Sequence, residues 1–127
     1  MRRHICIFVI SLLLILAAGL FTNRYCRILS LDYEAMIDVM RDNIQIENWK
    51  AAREQYDSML YSWYRVRPLI NIWIDHTDTD AVTTGLAELA VCIDAQEKRE
   101  SLRLLATLWE SVEHLYHREA LTLPNLL

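Results

Sequence analysis

Glycine is scarce in this chain: there are two in 127 residues, Gly19 inside an apolar run and Gly85 standing alone. A glycine-rich phosphate cradle needs several glycines in one short loop, so that backbone N–H groups can approach the phosphates. Nucleotide-binding loops are therefore excluded. Proline also occurs only twice, at Pro68 and Pro124, so few positions force the chain out of a helix. The three cysteines, Cys6, Cys26 and Cys92, form neither an even-numbered disulfide set nor a zinc spacing. Cys92 falls within a helical pattern as a small core residue. Nucleophilic and metalloprotease signatures are missing too, since no HExxH, no GxSxG and no evident Cys–His pairing occurs. Positive charge is in deficit over most of the length. From Arg24 onward eleven Lys and Arg stand against seventeen Asp and Glu, a formal charge of −6, which repels phosphate backbones and disfavours nucleic acid as a partner.

Apolar sequence is what the chain has in abundance. After the basic segment at residues 1–4, Ile5 to Phe21 form a run of seventeen uncharged residues, followed by Thr22, Asn23 and Arg24. Such a run is about 25 Å long as a helix, enough to cross a bilayer once Thr22 and flanking arginines extend it to the interfaces. A transmembrane anchor over residues 5–22, in contact with membrane lipid, is the favoured reading. The competing one is a cleaved signal peptide, with Ala17 and Gly19 as small residues before a cut. Arg2, Arg3 and the amino terminus outweigh Arg24 and Arg27 by a single charge, which together with the signal-like layout favours the amino terminus inside and the remainder outside.

Residues 28–127 leave room for one helical domain with a modest core. Trp49, Ala52, Tyr56, Met59, Trp63, Val66, Ile70 and Trp73 are spaced alternately three and four apart, the seam of a long amphipathic helix. Leu60 and Tyr64 add a second apolar edge, which predicts that this helix lies at the centre of the bundle. The seam keeps its phase through Pro68, predicting a kinked helix. Before it, Ile28 to Ile44 reads as a helix capped by Ser30 or Asp32, with Leu31, Ala35, Met36, Val39, Met40 and Ile44 buried. The link at 45–48 allows only a tight reversal, and Asn48 is a suitable N-cap. A third helix runs from about Thr79 to Ile93, capped by Thr77 or Asp78, with Val82, Leu86, Leu89 and Ile93 on one face. A fourth, from Lys98 to Tyr116, aligns Leu102, Leu105, Trp109, Val112 and Tyr116, and the tail from His117 to Leu127 reads as extended. The expected fold is all-α: one transmembrane helix followed by an antiparallel four-helix bundle of two hairpins. Its core should hold Tyr56, Trp63, Val66, Leu89, Leu105 and Trp109. A shift of 49 residues lays Ile44, Ala52, Tyr56, Leu60 and Trp63 over Ile93, Ser101, Leu105, Trp109 and Val112, as a duplicated hairpin would.

The apolar anchor, the helix entry Asn48-Trp49-Lys50-Ala51-Ala52, the tryptophans Trp63 and Trp73, the segment Ile74-Asp75-His76-Thr77-Asp78-Thr79-Asp80 and the ending Leu123-Pro124-Asn125-Leu126 together give a resemblance. The chain resembles a domain-of-unknown-function family of small membrane-anchored proteins from Gram-positive, often spore-forming, bacteria. Thr79, where an apolar residue is commoner, and Pro124 depart from its pattern. The family has no assigned activity or functional residues to carry over, and what the resemblance implies is a polytopic membrane protein as partner.

The densest polar stretch is Asp75, His76, Asp78 and Asp80. With His114 and His117, one turn apart on the last helix, His76, Asp78 and Asp80 are candidate metal ligands if the ends of the second and fourth helices meet. The favoured reading is structural: the acids and Thr77 cap the third helix and complement its dipole. The segment is not an EF-hand, since Leu86 stands at its twelfth position. No cofactor and no enzymatic activity is expected. The function expected is a non-catalytic interaction or accessory module for another membrane protein; the alternative is an extracytoplasmic ligand- or metal-sensing domain.

Overall fold

Neither glycine nor proline lies between Leu20 and Trp49, so nothing in that stretch breaks a helix. The computed structural model describes residues 1–72 and 74–122, with their side chains up to Leu115, and its first element, α1 (Arg2–Gln45), is one helix of 44 residues. The apolar run and the first bundle helix are thus a single rod about 66 Å long. The caps expected at Ser30 or Asp32 do not form, because no helix begins there. Residues 2–25 are all exposed or half-exposed, and Cys26 is the first buried residue. The most apolar 18-residue stretch of α1 has a mean hydropathy of 2.8 and no buried residue, so the helix is long and apolar enough to cross a membrane.

After α1 come α2 (Trp49–Ile70), α3 (His76–Asp94) and α4 (Lys98–Thr122), completing an all-α antiparallel bundle of two helical hairpins. Asn48 caps α2 as expected, its Oδ1 accepting the Ala51 N–H at 3.3 Å. α2 does not run on for the length expected. It ends at Ile70, two residues past Pro68, where Asn71 N–H closes on the Arg67 carbonyl at 2.9 Å. Pro68 has no N–H to give the Tyr64 carbonyl and its ring crowds that carbonyl, and the helix ends within a turn of it. Trp73 lies outside the described residues. The cap of α3 is Asp75, not Thr77 or Asp78: its Oδ1 accepts the Thr77 N–H at 2.9 Å. α4 carries the chain as helix to Thr122, so the tail read as extended from His117 is helical that far, and 123–127 lie outside the described residues.

The core corrects the expected faces. On α1 the buried stripe is Cys26, Ser30, Tyr33, Ile37, Met40 and Ile44, whereas Leu31, Ala35 and Val39 are exposed and Met36 is half-buried. The helix is apolar on both sides, and Tyr33 enters the core because its hydroxyl meets Ser62 Oγ at 3.1 Å. Tyr56, Trp63, Leu89 and Leu105 are buried as expected, but Val66 and Trp109 only line the core's edge. α4 buries Ser101, Leu104, Leu105, Leu108, Val112 and Leu115. Nor is α2 central: α4 makes the most extensive contacts, with α1 and α3, while the outer side of α2 leaves Tyr61 and Tyr64 exposed.

The shift of 49 residues is obeyed by the structure in detail. Ser30, Tyr33, Ile37, Met40 and Ile44 map onto Thr79, Val82, Leu86, Leu89 and Ile93, and Ala52, Tyr56, Met59 and Trp63 onto Ser101, Leu105, Leu108 and Val112, every one of them buried. Both hairpin turns close the same way. Glu47 and Gln96 take the left-handed conformation at φ 60° and 55°. In the first turn Asn48 N–H bonds to the Asn43 carbonyl at 2.8 Å and Glu47 N–H to that of Ile44 at 3.0 Å. In the second, Glu97 N–H bonds to Cys92 at 2.9 Å and Gln96 N–H to Ile93 at 3.0 Å. This is the Schellman ending, formed twice without glycine.

Candidate functional site

Three acids of the polar stretch opening α3 serve the helix and its neighbour. Asp75 caps the helix, Asp78 sits in its first turn, and Asp80 accepts an ion pair from Arg67 Nη2 at 2.7 Å. Thr79, at the position departing from the family pattern, is fully buried and shares its hydroxyl hydrogen between Asn71 Oδ1 at 2.8 Å and the His76 carbonyl at 3.0 Å. From there a chain of bonds runs into the core: Thr83 Oγ1 donates to the Thr79 carbonyl at 2.9 Å and accepts Trp63 Nε1–H at 2.9 Å. Trp63 also meets Tyr33 edge to face, with ring centroids 5.9 Å apart. Reading by sequence missed this network, whose members come from three helices; the departure at Thr79 was its one visible trace.

His76 and His114 are both exposed, on α3 and α4, and the side chain of His117 lies outside the described residues. Among the described residues no three His, Cys, Asp or Glu side chains come together in a metal-holding group. Burial, aided by Glu97 and Glu100, pushes the Cys92 thiol up, the opposite of the shift that activates a nucleophile.

Two apolar features lie outside the core. The first is a cleft of about 400 Å³ where α1 leaves the bundle, walled by Ala18, Phe21 and Tyr25 on one side and Leu69, Ile72 and Ile74 on the other. The second is the outward face of α1 itself. Ile28, Leu31, Ala35 and Val39, spaced three, four and four apart, form an exposed stripe opposite the buried one. The repeat supplies an internal comparison. The equivalent positions on α3 are Thr77, Asp80, Thr84 and Glu88, all exposed and polar or charged. The fold therefore does not require an apolar surface at this place.

No curated protein and no solved structure matches the chain. A family model matches residues 20–126, which takes in α1 from Leu20 onward and α2, α3 and α4. Because that match covers most of its length, the chain belongs to the family described as domain of unknown function DUF4363.

Proposed function

We infer that this protein is a membrane-tethered, non-catalytic interaction module that holds another membrane protein, with the amino terminus inside and the bundle outside. The observation that carries this reading is the outward face of α1, apolar at Ile28, Leu31, Ala35 and Val39 where the equivalent face of α3 is polar. Exposed apolar stripes on a helix are the usual anchors of helix-to-helix recognition. Tethering supports the same reading, because an anchor in the same bilayer raises the effective concentration of the bundle beside its partner. The acidic balance of the bundle suits a partner with basic groups flanking an apolar helix face.

The test is photo-crosslinking in native membranes from a benzophenone side chain at Leu31, with Thr84, on the corresponding polar face of α3, as control. One reproducible protein adduct from Leu31, lost with Ala35→Asp and retained when the anchor is exchanged for an unrelated span, is the expected result. No adduct from Leu31, with the purified protein instead gaining thermal stability from a divalent metal or small solute, replaces the interaction reading with the sensing one.

A further inference from the structure

We propose that the end of the bundle formed by the α2–α3 connection is itself seated on the bilayer, with Leu69 and Ile72 in the lipid interface and a phospholipid acyl chain occupying the cleft against α1. This rests on α1 being a membrane span. The two ends of the bundle differ in composition. At the end carrying the hairpin turns Ile46 is 74% exposed, but Glu47, Asp94, Gln96, Glu97 and Lys98 are exposed there as well, so charged and polar side chains predominate. At the other end Leu69 is 57% and Ile72 68% exposed, and they face Phe21, 74% exposed, across the cleft. Large apolar side chains grouped this way mark a surface that something apolar covers.

Position decides what covers it. One wall of the cleft is Ala18, Phe21 and Thr22, the closing turns of the apolar run, and Ala18 lies about 4.5 Å along the axis below Phe21. The opposite wall, Leu69, Ile70, Ile72 and Ile74, therefore stands level with the acyl layer. Tyr25 at the mouth takes the depth where membrane proteins concentrate aromatic side chains. Exposed Arg24 and Arg27 lie one to two turns above the apolar run, within reach of lipid phosphates. A cleft opening at this depth meets acyl chains first, and its volume lies within the range of about 300–1,000 Å³ of pockets that hold small ligands.

The experiment uses the unmodified full chain in vesicles of phosphatidylcholine and phosphatidylglycerol, doped with a phosphatidylcholine bearing a diazirine near the headgroup end of one acyl chain. Irradiation followed by peptide mapping should place adducts on α1 up to Phe21 and also on residues 69–74, with none at the turn 94–98. Leu69→Asp combined with Ile72→Asp should remove the second set and leave the first. Adducts confined to α1 would overturn the proposal while sparing the membrane span. Absence of adducts from α1 as well would overturn the span and the proposal together.

Discussion

Ser101 stands in the second hairpin where Ala52 stands in the first; both are fully buried, and Ser101 Oγ has no hydrogen-bond partner among the described residues. A buried hydroxyl without a partner retains its desolvation cost, and serine is a poorer helix former than alanine. Ser101→Ala should therefore stabilise the protein, by about 1 kcal/mol, because it installs the residue that the first hairpin already uses. Chemical denaturation in detergent micelles measures this, and a loss of stability would show that Oγ is satisfied after all.

Gln96 holds φ 55° at the turn between α3 and α4, a conformation that costs a residue with a Cβ about 1–2 kcal/mol. Gln96→Gly removes that cost but adds freedom to the unfolded chain, leaving an expected gain of about 0.5–1 kcal/mol. Gln96→Val should lower the denaturation midpoint, since a β-branched side chain tolerates this region least. Equal midpoints for the two variants would rule out strain at this turn.

Trp63 is the largest fully buried side chain among the described residues and the meeting point of the Tyr33 ring and the Thr83 hydroxyl. Trp63→Ala should cost about 3–5 kcal/mol, enough to threaten a domain of this size. Trp63→Phe keeps most of the packing but loses the indole donor, and should cost about 1–2 kcal/mol. Thermal melts by circular dichroism order the three proteins, and an alanine variant within 1 kcal/mol of the parent would remove Trp63 from the core.

Burial raises the ionisation of Tyr33 and Tyr56 above the ordinary tyrosine value, the effect on Tyr33 partly offset by its bond with Ser62 and that on Tyr56 by nearby Arg53. The folded protein then holds these protons more tightly than the unfolded chain, so their contribution is fully present below about pH 10 and is lost as pH rises through the folded values. Stability should be flat on this account at neutral pH and fall in alkali. Tyr56→Phe should shrink the alkaline fall while costing about 1 kcal/mol at neutral pH, where it loses the 2.8 Å bond to the Leu86 carbonyl. A fall of unchanged size would exclude Tyr56 as a source.

The helices were legible because their signals are local. Spacing in threes and fours placed Ala52, Tyr56, Met59 and Trp63 on one side of α2, short polar links announced the two hairpins, and Asn48 declared a helix start. The absence of glycine and proline across residues 22–28 is equally visible, but the change from apolar to charged composition there suggests a boundary between helices that the backbone does not have. Composition marks a change of surroundings; only a breaking residue or a cap marks a change of backbone.

What the sequence by itself determined is the all-α class, the apolar amino-terminal run and the two hairpins, all of which follow from periodicity, short polar links and the scarcity of glycine and proline. What only the tertiary structure decided is which of two apolar faces of α1 turns inward. Leu31, Ala35 and Val39 are as apolar as Ile37, Met40 and Ile44, and helical spacing fits both sets. The choice depends on shape and on polar satisfaction across helices: Tyr33 finds Ser62, and Ser30 reaches the Val112 carbonyl at 3.5 Å. These contacts join residues up to 82 positions apart, so the face left outside, and with it the surface open to a partner, is set by neighbours that no local pattern contains.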